Sequence, residues 1–198
     1  MSVTAEPLRP AGLTSPQAGP YFAEDLDRIP DLPPHTELID GNLIFVSPQA
    51  LFHAFAKNAI WNALERAAPP LLLVTGEMTV KLRPKTRVEP DVMVVDGEAV
   101  TSERQTGFDA PDALLVVEVI SPESRNRDRK EKPGLYAAAG IPHFWLVDDV
   151  DGKTVVEVWK LDQKLGSYEL VGRFDELLEV EEPFPVVLDL QKVGRRRR

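Results

Sequence analysis

The sequence predicts an α/β fold whose core runs αβββαβ, with a β-hairpin before it and an antiparallel strand pair after it. Three observations carry this. An Asp40-Gly41 turn sits between two apolar runs, two stretches of helical spacing are each stopped by proline or glycine, and residues 114–120 form an almost unbroken apolar run. At 198 residues the chain can bury one proper core, so one domain is expected over 21–190. The preceding 1–20 are rich in Pro, Ala and Gly and are expected to be poorly ordered, and 191–198 read as a basic tail.

Glu37-Leu38-Ile39 and Leu43-Ile44-Phe45-Val46 flank Asp40-Gly41, a dipeptide that supplies the positive φ angles of a tight hairpin. Ser47-Pro48 reads as an N-cap with proline at the first helical position. Phe52, Phe55, Ala56, Ala59, Ile60, Ala63, Leu64 and Ala67 then recur at helical spacing, which predicts a helix over 48–67 ended by Pro69-Pro70. Short β-rich runs follow at 71–75, 79–83 and 92–95. Residues 114–120 have the composition of a central strand covered on both faces. A basic segment leads into a second helix carrying Leu135, Tyr136 and Ala139, which Gly140 and Pro142 stop. Residues 143–147 form the next strand, an Asp151-Gly152 turn follows, and 154–161 pairs with 167–171. A helix, a meander of about three strands, a helix and a strand make the core of restriction-endonuclease-like folds; fold alone does not give function.

Composition narrows the chemistry. With no cysteine, disulfides and thiolate metal sites are excluded, and any metal sits on oxygen or imidazole, which favours a hard cation such as Mg²⁺. A formal charge of −9 argues against a protein that coats DNA nonspecifically, although Arg125, Arg127, Arg129, Lys130 and Lys132 form a local basic cluster. No basic leader precedes an apolar run, and no segment approaches the roughly 18 apolar residues of a membrane span, so a cytoplasmic protein is expected.

Glu118 is the only charge in its apolar run. A buried carboxylate needs a partner or a metal, and a salt bridge to a nearby Lys or Arg is the ordinary explanation. Asp91 adds a second acid. It follows Pro90 and opens a strand, so neighbouring strands can bring Asp91 and Glu118 to one end of the sheet, where two such carboxylates repel unless a cation lies between them. Asp91 alone would read as a turn residue. Mg²⁺ held on these two acids suits phosphodiester hydrolysis. Asp148, Asp149 and Asp151 fail the spacing of a calcium loop and are expected to make a hairpin turn.

Several segments together resemble one family. They are Glu37-Leu38-Ile39-Asp40-Gly41-Asn42-Leu43, Ser47-Pro48 to His53, Glu89-Pro90-Asp91-Val92, Val117 to Ser124, Arg127 to Lys132, Leu135-Tyr136, Ala139-Gly140 and Phe144 to Asp148. Over roughly 21–170 the chain resembles the Uma-two family of restriction-endonuclease-like bacterial proteins, within the PD-(D/E)XK nuclease superfamily. The resemblance implies that Asp91 and Glu118 stand at the superfamily's two acidic positions. It implies a Mg²⁺ cofactor (or Mn²⁺) and DNA as substrate, with no membrane partner and a homodimer allowed. The superfamily's lysine, two residues beyond the second acid on the same strand face, is Ile120 here. Lys132, at the start of the second helix and matching a lysine of the family motif as Asp128 matches an acid, is the candidate replacement; Lys130 is the alternative, and a solvated basic helix start is the plain reading. His53 and Glu37 are secondary candidates, equally explained by a polar helix face and a surface ion pair.

Two functions follow: a Mg²⁺-dependent endonuclease, or a non-catalytic descendant of the fold that binds nucleic acid or a protein. A serine hydrolase is set aside, since no Gly-x-Ser-x-Gly elbow is present and proline follows Ser121.

Overall fold

The computed structural model describes residues 19–194, so the expectations for 1–18 and 195–198 lie outside the described residues. Asp40 and Gly41 both take positive φ, 51° and 81°, and close the hairpin of β1 (Thr36–Ile39) and β2 (Asn42–Phe45) in the register Leu38↔Leu43. Helix α1 spans Leu51–Ala67, three residues shorter at its start than the Ser-Pro signal implies. Its N-cap is Ala50, with no side-chain cap. Ser47 instead accepts a hydrogen bond at its carbonyl from Gln49 Nε2 (3.0 Å), within an extended approach. The buried line of α1 is His53, Ala56, Ile60, Ala63 and Leu64, whereas Phe55 is exposed, so His53 lies on the inward face and not on a polar one.

Next come β3 (Leu72–Thr75), β4 (Thr79–Arg83), β5 (Thr86–Val88), β6 (Val92–Asp96), β7 (Gly107–Asp109) and β8 (Ala113–Val119). The three-strand meander of the core is β3-β6-β8, not three consecutive strands. β4 leaves it for a second sheet, ordered β2-β1-β5-β4-β7, while the main sheet is ordered β11-β10-β9-β8-β6-β3. Burial explains the sorting. β6 and β8 are apolar on both faces, as central strands must be, but Thr79-Val80-Lys81-Leu82-Arg83 alternates and suits a sheet covered on one side. Strands β5 and β7, three residues each, are too short to leave a periodic signal.

After β8 the chain makes one turn of π-helix (Arg127–Glu131) that runs into α2 (Lys132–Ala138). Strand β9 (His143–Val150) then lies parallel to β8, as the αβ crossover requires, and β10 (Lys153–Asp162) and β11 (Ser167–Phe174) extend the sheet antiparallel. A small hairpin of β12 (Leu177–Val180) and β13 (Val186–Asp189) follows. Of the expected tail at 191–198, Gln191 and Lys192 belong instead to a 3-10 turn (Leu190–Lys192) whose Leu190 is buried. Asp148 is likewise not a turn residue: it lies inside β9, and Asp151 and Gly152 make the turn, at φ 53° and 78°.

The main sheet has a core on each face. Val92, Val94, Leu115, Val117, Val119 and Trp145 pack against α1 and the β12-β13 hairpin. Met93, Val95, Val116, Ile120 and Phe144 pack against the second sheet and Tyr136 of α2. Alternation along β8 therefore sends Val116, Glu118 and Ile120 to the same face, between the two sheets. Ile120 is 4% exposed there and packs among apolar side chains.

One glycine ties this packing to the start of β6. A Cβ on Gly76 would stand 2.6 Å from the Asp91 carbonyl oxygen and 2.6 Å from the Trp61 ring. Gly76→Ala is expected to cost about 1–3 kcal/mol in urea denaturation, the usual range for overpacking a close contact. An unchanged midpoint would mean that the Asp91 backbone yields freely.

Candidate functional site

An antiparallel register that pairs Val92 with Val117 brings Asp91, one step before β6, opposite Glu118. The two acids thus lie at the same end of the sheet, near enough for the Asp91 charge to be felt at Glu118. Asp91 replaces the next rung of the ladder with its side chain. Its Oδ2 accepts a 2.6 Å hydrogen bond from the Val119 amide, and its Oδ1 lies 2.9 Å from His53 Nε2. His53 is held by the inward face of α1, so helix and sheet fix the Asp91 carboxylate from two sides.

Glu118 lies deeper, 2% exposed, and its Oε1 accepts from Lys132 Nζ (2.9 Å) and from the Tyr136 hydroxyl. Lys132 is the first residue of α2 and is itself 4% exposed, whereas Lys130 is exposed. The Lys132 amine also lies 2.9 Å from Glu37 Oε1 and 3.6 Å from Asp128 Oδ1. Glu37 comes from β1 of the second sheet and also accepts the Glu89 amide at 3.0 Å, so one ammonium joins two sheets and a helix. Asp128, Lys132 and Tyr136 follow one another at intervals of four, which places them in a row along the π-turn and α2. Upstream, Ser121 and Ser124 start this segment: the Ser124 amide donates to Ser121 Oγ (3.2 Å) and the Ser121 amide to Ser124 Oγ (3.0 Å).

This crowding shifts proton affinities. Burial pushes the Glu118 carboxyl well above its usual range; the Lys132 ammonium opposes that shift, and Asp128, Asp91 and Glu37 add to it. Asp128 rises for the same first reason, burial, with Lys132 opposing. Burial disfavours the charge on Lys132, but Glu118, Glu37 and Asp128 outweigh it and raise its pKa, so the amine stays an ammonium. Glu37 Oε2 and Asp128 Oδ1 are buried without a hydrogen-bond partner. Buried carboxylate oxygens in excess of their donors are what a hard cation satisfies, so the residues fit a divalent ion. Among the described residues no three His, Asp or Glu side chains form a ready-made cage. Mg²⁺ does not require one, since it is commonly held by one or two carboxylates with water and phosphate completing the shell.

Asp91 also lines a cleft of about 320 Å³ with His35, Ser47, Gln49, His53 and Glu89. Sequence reasoning missed His35. Its Nδ1 lies 2.5 Å from Glu89 Oε1, a contact that raises its pKa, and its backbone is left-handed (φ 58°), as is that of Glu77 (φ 55°) on the same cleft. Two non-glycine residues in that region at one cleft are a local sign of function that sequence does not carry. Tyr136 reads in the sequence as a core residue; the interval of four from Lys132 was its available signal.

The basic cluster is mostly spoken for. Arg125 holds Asp148 with both terminal nitrogens (2.8 and 2.9 Å), and Arg129 adds a third bond at 2.9 Å.

The antiparallel β3-β6-β8 meander, parallel β9, crossover α2 and acidic end define a restriction-endonuclease-like protein of nuclease-like class. A model of the Uma2 family, described as "Putative restriction endonuclease", matches residues 23–191, and the chain belongs to that family. Its structure is similar to that of a "putative nuclease belonging to DUF820" from Anabaena variabilis ATCC 29413. The TM-score is 0.62 and the identity 18%, with 81% of this chain and 89% of that one covered, a likeness of fold. No curated protein matches the chain. No helix among the described residues is long and apolar enough to cross a membrane.

Lys132→Met keeps much of the stem but leaves Glu118, Glu37 and Asp128 without their cation. Removing one partner of a buried ionic group costs about 3–5 kcal/mol, and that loss is expected in urea denaturation near neutral pH. It should shrink as pH falls, because Glu118 and Asp128 then take up protons and no longer need the ammonium. A loss independent of pH would point to packing alone.

Proposed function

We propose that this protein is a divalent-metal-dependent endonuclease that hydrolyses phosphodiester bonds of DNA, with Mg²⁺ as the ion and Mn²⁺ as a substitute. Asp91 and Glu118 hold the metal, Lys132 acts at the reacting phosphate, and His53 and Glu37 position these groups. The observation that carries the reading is the excess of buried carboxylate oxygen around a single ammonium, within electrostatic reach of the cleft-lining Asp91. Family membership and the nuclease named as a fold relative support the same class.

What a bound divalent cation supplies is acidification of an attacking water and neutralisation of charge developing on the phosphodiester. The protein's own groups do the rest. His53 and the Val119 amide orient Asp91, so its free lone pairs face the cleft. Tyr136 and Lys132 both engage Glu118 Oε1, which leaves its second oxygen as the one to turn toward a cation. Lys132 is a preorganised positive charge beside the site. Such a group stabilises negative charge in the transition state without reorganising during the reaction. Glu37 and Asp128 keep the amine charged and fix its direction.

The raised Glu118 pKa gives this reading a pH signature. In the window between the unfolded carboxyl's 4.5 and the higher folded value, the metal-free folded state keeps a proton that the unfolded chain has lost. This contribution to stability is full below 4.5 and is lost as pH rises through the higher folded value. A cation held on Glu118 would compete with that proton, so titration calorimetry with Mn²⁺ in buffers of different ionisation enthalpy should register proton release, and affinity should strengthen with pH over that window. Binding without proton release would place the ion elsewhere.

Glu118→Gln keeps volume and removes the charge. Mg²⁺- or Mn²⁺-dependent cleavage of DNA should fall by about two orders of magnitude or more, while the metal-free melting temperature holds or rises because carboxylate repulsion is relieved. A variant that melts far lower, from a parent with no cleavage under either ion, would make Glu118 a structural ion-pair residue and favour a non-catalytic binding protein.

A further inference from the structure

We infer that Arg127 is the backbone-phosphate anchor of the substrate, a reading that rests on the nuclease assignment above and extends it to a residue outside the carboxylate cluster. The segment 125–132 carries five cations, and the structure accounts for most of them. Arg125 and Arg129 are bound to Asp148, Lys132 to the buried acids, and Lys130 is exposed. Arg127 differs from all of these. It is half-buried, and among the described residues it has no acidic partner and its solvent-shielded Nε has no acceptor. In a chain with 32 acidic residues against 23 basic ones, a partly desolvated guanidinium that has found no carboxylate is an anomaly, and an unsatisfied buried donor calls for an absent acceptor.

Its direction follows from the helical turn. Residues four apart share a flank: Ser124, Asp128 and Lys132 point inward to the acids, and Arg125 and Arg129 point to Asp148 on β9. Arg127 lies on the other side of the inward row, away from β9. β6, which Asp91 precedes, is the neighbour of β8 on the side opposite β9. A guanidinium there matches a phosphodiester oxygen pair in charge and in its planar fork of donors.

The test is DNA binding and cleavage by the full chain carrying Arg127→Gln, with Arg127→Lys as the charge-conserving variant and Lys130→Gln as the exposed neighbour. Binding of a fluorescent duplex is followed by anisotropy in Ca²⁺ across salt concentrations, and cleavage in Mn²⁺. For Arg127→Gln, Kd and KM should rise roughly tenfold with kcat nearly unchanged. The slope of log K against log salt should shrink by about 0.9, the value of one phosphate contact. Arg127→Lys should recover most of the binding and the full salt slope, and Lys130→Gln should change little. A parent that cleaves DNA while Arg127→Gln binds within twofold of it, with the same slope, overturns the role of Arg127 alone. A parent that neither binds nor cleaves overturns this inference together with the nuclease reading. An Arg127→Gln protein that melts early, with binding per folded molecule unchanged, also overturns it.

Discussion

The Lys132 ammonium, held within 3.6 Å of Glu118, Glu37 and Asp128, is the interaction on which the arrangement of this protein turns. Each acid arrives from a different element: a central strand of the main sheet, the hairpin of the second sheet and the π-turn ahead of α2. Removing any one from water is costly, and the cost is offset in part because each of them meets the same cation. The cluster thus fixes how the second sheet and α2 sit on the main sheet, at the place where an apolar interface would allow several alternatives.

That convergence also leaves Glu118 as the one charge that β8 itself carries. With Ile120 filling the core between the sheets, β8 is free to be fully apolar apart from Glu118. The positive charge that meets Glu118 comes from Lys132 at the start of α2, in the crossover from β8 to β9. The π-turn matters here, because its wider spacing keeps Asp128 and Lys132 in one row while Arg125 and Arg129 both reach Asp148 on the adjacent flank. Turns of this kind occur often at functional sites.

Most of the fold was legible because its strongest signals are local. Asp40-Gly41, the apolar run of β8 and the helical spacing of α1 each report one element, and each element is present. What failed was assembly. The strand at 79–83 was legible as a strand but not as part of another sheet; only its alternating pattern, set against the continuous apolarity of β6 and β8, told them apart. The start of α1 was misread because Ser47-Pro48 carries a capping signal that the chain spends on the cleft wall. At the site, Asp91, Glu118, Lys132, His53 and Glu37 are all brought to one end of the main sheet. Glu37 and His53, which a surface reading also explained, are buried. Tyr136 and His35 stayed hidden because a hydroxyl on a core residue and a left-handed backbone at a loop histidine become visible only once partners are in place.

The bond between the Glu89 amide and Glu37 joins residues 52 positions apart, and Lys132 lies further still along the chain from its partner on β1. Loop closure of that length must precede any reward from the contact, so these pairings carry an entropic cost that local contacts do not. The hairpin that supplies Glu37 is synthesised before most of the main sheet, yet its acidic side chain acquires its partner only after α2 has been made. A nascent chain therefore carries the acids of this site before it carries the cation that holds them, so until Lys132 has been made their charges have only water to meet.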